Sequence, residues 1–111
     1  MNEKADVQWA SRKYALEAFA SNDPKRICRA LVSIAFYDDD WQWVQDKCLH
    51  YLEDNDEYLA CLAATCLGHI ARIHGKLDRE KVLPSLHAKA SDPRISSCVS
   101  DALDDIDMFV A

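Results

Sequence analysis

The sequence predicts a single all-α domain over residues 1–111, built from about three stacked two-helix repeats. Half of the 111 residues are hydrophobic, which is enough to form one core. Only two glycines and three prolines are present, too few for the tight turns of a β-sandwich of this length. Helix-capping signals recur along the chain and divide it into six segments with helical apolar patterns. We therefore expect six helices joined by short turns.

The first three predicted helices are separated by aspartate-rich breaks. The first covers about residues 6–20. Asp23 can cap the second helix, and Pro24 suits its first position, where a missing N–H costs nothing. Asp40 can cap the third helix, which continues to about Leu52.

The last three predicted helices are bounded by similar start and stop signals. Asp56 opens the fourth helix, and Gly75 is suited to end it in a left-handed conformation. The fifth helix begins near Asp78 and contains a proline. The sequence 91–93, Ser-Asp-Pro, repeats the earlier start signal, so we expect the sixth helix to begin there and to end near residue 109.

The fourth helix is predicted to lie at the centre of the fold. Residues 59–71 contain no Asp, Glu, Lys or Arg and are apolar on almost all sides, so neighbouring helices must cover them. The sixth helix is instead two-faced. Its predicted inner stripe is Ile95, Val99, Ala102 and Ile106, and the opposite face carries Asp101, Asp104, Asp105 and Met108.

The capping aspartates reveal an internal repeat. Asp23, Asp56 and Asp92 are spaced 33 and 36 residues apart. Seven residues after each of them lies a small or β-branched apolar residue, and eleven residues after each lies a large aliphatic one. These two sets are Ala30, Ala63 and Val99, and Ile34, Leu67 and Leu103.

Two segments carry a family resemblance. The stretch 56–70, from Asp-Glu-Tyr-Leu to Gly-His-Ile, resembles the second helix of a HEAT-like (armadillo-type) repeat. Leu83-Pro84-Ser85-Leu86 followed by 92–106 resembles a whole repeat. The resemblance covers about residues 41–107, and Ala60 and Ser96 stand where the family usually has arginine. It implies a short right-handed α-solenoid and says little about activity.

The charge balance bears on the kind of partner. The net charge is −6, concentrated in residues 37–58 with −7 and residues 101–111 with −4. Such a surface repels phosphates and anionic lipid and attracts basic proteins, so we expect neither direct nucleic-acid binding nor membrane binding. No apolar run reaches membrane-spanning length, and Met1-Asn2-Glu3-Lys4 lacks the pattern of a signal peptide. We expect a cytoplasmic protein.

The cysteines are predicted to be free thiols. Their number is odd, no CxxC pair is present, and all lie within apolar helical patterns. The five are Cys28, Cys48, Cys61, Cys66 and Cys98.

Catalytic and metal-binding motifs are not evident. Cys66 and His69 have a spacing that can hold zinc and His74 lies nearby, but no second ligand pair follows, so a core or surface role is favoured. There is no Gly-rich phosphate loop and no cysteine with an evident histidine partner. We predict a protein that is not an enzyme and holds no cofactor or metal.

The segment 37–43 is the best candidate for a partner-binding site. It places three carboxylates between three aromatic rings at a junction between repeats, a combination typical of protein hot spots for basic partners. The acidic stripe of the sixth helix can form a second arm. The predicted partner-binding residues are Tyr37, Asp38, Asp39, Asp40, Trp41, Trp43, Asp101, Asp104 and Asp105. The competing interpretation is that Asp40 caps a helix, a tryptophan packs inward and the remaining acids are solvated.

Small acidic helical-repeat proteins of this kind resemble bacterial immunity proteins of contact-dependent inhibition systems. The resemblance implies a monomer that binds its cognate toxin domain in a 1:1 complex and occludes the active-site cleft. The charge pattern favours a basic nuclease as the toxin. The alternative is a HEAT-type scaffold or regulatory subunit of an intracellular enzyme.

Overall fold

The computed structural model describes residues 12–111, and in this range the chain forms six α-helices and no strands. The all-helical prediction is therefore confirmed. Residues 6–11, the start of the predicted first helix, lie outside the described residues. The helices are α1 Arg12–Ala20, α2 Pro24–Tyr37, α3 Trp41–Leu52, α4 Glu57–His74, α5 Arg79–Lys89 and α6 Ser96–Phe109.

The predicted capping aspartates start three of these helices. The Asp23 carboxylate accepts a hydrogen bond from the backbone N–H of the second residue of α2, with Pro24 in the first position. Asp40 accepts from the third residue of α3, and Asp56 accepts from the second and third residues of α4. At the other end of α4, Gly75 adopts φ of 63°, the left-handed stop that its position predicts.

The predicted start of the last helix is wrong by three residues, because α6 begins at Ser96. The Asp92 carboxylate accepts hydrogen bonds from the backbone N–H of Arg94 at 3.0 Å and from its guanidinium group at 3.0 and 3.2 Å. These bonds close a turn over residues 92–95 before the helix begins. The Asp-Pro pair therefore starts a turn here, whereas the pair at Asp23 starts a helix.

The second helix of each pair forms the centre of the molecule. The pairs are α1–α2, α3–α4 and α5–α6, and α4 packs against α2, α3 and α6. The prediction that α4 must be covered on several sides is confirmed, since nine of its 18 residues are buried. Although α4 is strongly apolar, no helix within residues 12–111 is long and apolar enough to cross a bilayer.

The helices α2, α4 and α6 lie side by side and run parallel. Near the start of α4 and α6, the Cα atoms of Cys61 and Cys98 are 5.5 Å apart, and beyond the end of α4, Gly75 faces the carbonyl oxygen of Phe109. Burial matches at one set of repeat positions, where Ala30, Ala63 and Val99 are all fully buried. At the second set Ile34 and Leu67 are fully buried and Leu103 is half-buried. Corresponding positions of the sequence repeat therefore lie mostly in corresponding buried positions of the fold.

Two long-range polar contacts position α5. The side chain of Gln45 on α3 is almost completely buried, and its Oε1 accepts a hydrogen bond of 2.7 Å from the backbone N–H of Asp78, just before α5. The guanidinium group of Arg79 donates to the carbonyl oxygen of Val110. The first contact fixes the start of α5 to α3, and the second joins the start of α5 to the residue that follows α6.

The prediction of five free thiols is wrong for Cys61 and Cys98, which form a disulfide between α4 and α6. The close parallel approach of the two helices brings these half-buried side chains together, an arrangement that their sequence spacing does not reveal. Cys28, Cys48 and Cys66 are free. A hydrogen bond with Cys66, together with complete burial, raises the pKa of Cys48 well above its ordinary value, so this thiol is unreactive.

Candidate partner-binding surface

The junction between α2 and α3 uses two of its three carboxylates internally. The Asp38 carboxylate lies 3.2 Å from the guanidinium of Arg12 and accepts a hydrogen bond of 2.8 Å from the backbone N–H of Asp40. Asp40 caps α3 and also lies 3.5 Å from Arg12. Asp39 is the one acid of this junction that is exposed and makes none of these contacts. The junction therefore presents much less available negative charge than its sequence indicates.

The two tryptophans of the segment 37–43 are half-buried and pack against the core. The guanidinium carbon of Arg12 lies 4.1 Å from the centroid of the Trp43 ring, and the ammonium nitrogen of Lys47 lies 5.9 Å from it. Trp43 therefore faces α1 and two cations of this chain. Tyr37, in contrast, is exposed at the end of α2 beside the ring of Phe36.

The acidic stripe of α6 is more accessible. Asp101 and Asp104 are exposed and Asp105 is half-buried, and within residues 12–111 none of the three forms an ion pair. They form one wall of a groove of about 430 Å³ between α4 and α6. The opposite wall is formed by Thr65, His69 and Arg72.

His69 connects the acidic stripe to the end of α2. Its ring lies 4.8 Å from the ring of Phe36, centroid to centroid, and it lines the α4–α6 groove together with Asp105. Burial is the main reason that the pKa of His69 is lowered; Arg72 lowers it further and Asp105 opposes the change. Tyr37 lies beside Phe36, and Phe36 lies beside His69, which lines the groove with the α6 acids. Tyr37 and these acids therefore lie on one side of the molecule.

Gly68 sets the position of Asp105. A Cβ atom at Gly68 would lie 2.7 Å from Asp105 Oδ2 and 3.4 Å from the Cα atom of Ala102. The absence of a side chain allows α6 to approach α4 closely, and it leaves the space that the Asp105 carboxylate occupies. The groove geometry therefore depends on this glycine.

The candidate residues from the sequence thus fall into two groups. One group comprises Tyr37, Asp101, Asp104 and Asp105, which share the side formed by α2, α4 and α6. The other comprises Asp38, Asp40 and Trp43, which face Arg12, together with Trp41, which packs against the core; Asp39 lies exposed between the groups.

Sequence reasoning missed Phe36 and His69 as parts of this side. The repeat spacing contains the signal, because Phe36, His69 and Asp105 lie 13 residues after the repeated aspartates Asp23, Asp56 and Asp92, respectively. Equivalent positions on parallel neighbouring helices come into contact, so this row of three is a direct product of the repeat.

The zinc-like spacing in α4 does not produce a cluster. Cys66 contacts Cys48 in the core, whereas His69 packs on Phe36. Within the described part of the chain, no three His, Cys, Asp or Glu side chains are grouped so that they could hold a metal ion.

The architecture defines a small all-helical protein in which three helix pairs are arranged side by side. No protein-family model and no curated protein matches the chain. The crystal structure of a CDI complex from Cupriavidus taiwanensis contains a similar chain, with 36% sequence identity over 89% of each chain and a TM-score of 0.80. At this identity and coverage, this chain belongs to the same family as that component of the CDI complex.

Proposed function

We propose that this protein is the immunity component of a contact-dependent inhibition system, which binds a cognate toxin domain and neutralises it. The observation that carries this proposal is the likeness to a component of the Cupriavidus taiwanensis CDI complex. Because the likeness extends over nearly the whole of both chains, the shared feature is an entire domain rather than a local motif. The protein acts in the cytoplasm as a monomer that forms a 1:1 complex with the toxin.

The mechanism is inhibition by binding, without chemistry. The chain has a net charge of −6, and the acids of α6 are exposed and lack ion pairs within residues 12–111. Long-range attraction by such a surface accelerates the capture of a basic protein. We propose that the toxin is a basic nuclease and that this protein covers its active-site cleft. The repeated burial pattern also supports the assignment of the three pairs as HEAT-like repeats.

The test uses the toxin domain encoded immediately upstream of this protein's own gene. Both proteins are purified and titrated by isothermal calorimetry at several salt concentrations, and toxin activity is assayed on DNA and on RNA. We expect tight 1:1 binding that weakens as salt rises, with full loss of toxin activity at equimolar inhibitor. Lys25→Ala, which removes an exposed cation at the start of α2, serves as a control and should leave binding unchanged.

Two outcomes separate the parts of this proposal. A folded protein that neither binds the upstream toxin nor protects cells expressing it contradicts the immunity role. A bound and neutralised toxin that cuts neither DNA nor RNA contradicts only the nuclease assignment. Co-purification with a resident enzyme instead of the toxin would favour the scaffold alternative.

A further inference from the structure

Exposed apolar side chains are concentrated at one edge of the molecule. Seven large hydrophobic side chains are exposed within residues 12–111, and five of them lie at or just before the C-terminal ends of α2, α4 and α6. These five are Phe36, Tyr37, Ile73, Met108 and Phe109. Since the three helices are parallel, their ends form one continuous surface, which we call the C-terminal edge.

Contacts between neighbouring helices show that the C-terminal edge is continuous. The ring of Phe36 on α2 lies 4.8 Å from the ring of His69 on α4. The end of α4 reaches α6, where Gly75 faces the carbonyl oxygen of Phe109. Exposed apolar groups that are grouped in this way, rather than scattered, are typical of interaction sites.

The electrostatics of the α4–α6 groove, beside the C-terminal edge, favour a cationic partner. The groove is lined by three carboxylates, those of Asp101, Asp104 and Asp105, against the single cation Arg72. Three helix C-termini also end here, and each adds partial negative charge from its unpaired carbonyl groups. An apolar surface with a negative rim binds a protein segment that carries both apolar and basic side chains.

The opposite end of the same helices differs in the lining of its groove. A second groove of about 520 Å³ lies between the first halves of α2 and α4, and the exposed ring of Tyr58 lines it. Its lining includes Arg29 and contains no carboxylate. The two grooves are thus of similar size, and only the α4–α6 groove is lined by carboxylates.

We propose that the toxin docks on the C-terminal edge, with an apolar side chain against the exposed apolar groups of this edge and a Lys or Arg in the α4–α6 groove. This inference rests on the proposed immunity function and specifies its surface. Binding there involves the row formed by Phe36, His69 and Asp105, and it leaves the Arg12-bound acids of the α2–α3 junction outside the contact.

The experiment compares two residues of nearly equal exposure at opposite ends of the helices. Met108 is 74% exposed and Tyr58 is 73% exposed, so neither substitution removes core packing. The variant Met108→Lys places one cation on the C-terminal edge, and Tyr58→Lys places one at the opposite end. Kd for the purified upstream toxin domain is measured for both, with thermal melts to establish folding.

We expect the edge variant to bind about 100-fold more weakly and the Tyr58 variant to remain within about threefold of the wild-type protein. Edge-variant binding within threefold of wild type, at unchanged melting temperature, overturns the docking surface while the immunity role stands. A larger loss from Tyr58→Lys than from the edge variant also overturns it. Failure of the wild-type protein itself to bind the toxin overturns the immunity role and this inference together.

Discussion

Two acidic regions of this protein carry the same kind of side chain and differ in what those side chains contact. At the α2–α3 junction, Asp38 and Asp40 are bound by Arg12 and by backbone N–H groups. On α6, Asp101 and Asp104 face solvent and have no ion pair within the described residues. The region with the denser sequence of acids is therefore the one whose carboxylates are engaged internally.

The two acidic regions also differ in the interactions that hold them in place. The α2–α3 junction is organised by an exposed arginine and a helix cap, interactions that salt and substitution weaken easily. The helix α6 is held by buried packing and by the link between Cys61 and Cys98. A binding surface on α6 is consequently more rigid than one on the junction, and a rigid surface loses less entropy on binding.

The largest expected effect concerns the link between α4 and α6. Opening a disulfide whose cysteines are separated by 37 residues should lower the free energy of unfolding by about 3–4 kcal/mol. The measurement is denaturant unfolding of the oxidised protein, of the protein in dithiothreitol and of Cys98→Ser. Alkylation of the denatured protein followed by mass analysis should label three thiols before reduction and five afterwards. Five labelled thiols before reduction would contradict the cross-link.

The next effect compares the two acidic regions directly. Asp101→Asn/Asp104→Asn should slow association with the upstream toxin by about tenfold at low salt, because these carboxylates are available to attract it. Asp38→Asn/Asp39→Asn removes the same formal charge and should slow association less, since Asp38 is paired with Arg12. Stopped-flow kinetics at several salt concentrations measures both. Equal slowing by the two pairs would mean that net charge alone determines capture.

A smaller effect is expected from the helix cap. Asp40→Ala removes the side chain that accepts from the backbone N–H of Trp43, so the free energy of unfolding should fall by about 1 kcal/mol. Toxin affinity should remain unchanged, because the cap lies outside the proposed contact. Asp39→Ala is the matched control and should change neither quantity. If Asp40→Ala weakened toxin binding without lowering stability, the α2–α3 junction would have to be part of the binding surface.

The smallest effect is the pH dependence of His69. Its pKa in the folded protein is below the ordinary value of 6.5, mainly because of burial, so the unfolded chain takes up the proton more readily. The stability associated with neutral His69 is therefore complete above that value and is lost as the pH falls through it towards the folded pKa. His69→Gln should flatten this part of the stability profile. If stability depended on pH in the same way for the wild-type protein and for His69→Gln, the contribution of His69 would be contradicted.

The sequence predicted the helices well because their signals are local. The aspartate caps, Pro24 and Gly75 act within a few residues. The uncharged stretch 59–71 is suited only to the interior of the fold, where neighbouring helices cover it. The turn at Asp92 escaped prediction because Arg94 competes for the capping carboxylate, and an Asp-Pro pair does not reveal this competition.

The candidate surface was harder to predict because its contacts join different helices. Whether Asp38 is available depends on Arg12, 26 residues away, and the pairing of Cys61 with Cys98 depends on the distance between α4 and α6. The repeat spacing does contain such information. Applied to Phe36, His69 and Asp105, it places the three side chains in one row.

The close approach at Gly68 has a consequence for how this protein can evolve towards new toxins. A side chain at position 68 would displace the Asp105 carboxylate, so a change at one of these two positions alters the space available to the other. Asp101 and Asp104 are exposed and carry no such restriction. Among related sequences we therefore expect positions 68 and 105 to covary, while positions 101 and 104 diversify with the identity of the toxin. A library designed to redirect specificity would vary these two freely and keep the Gly68–Asp105 pair fixed.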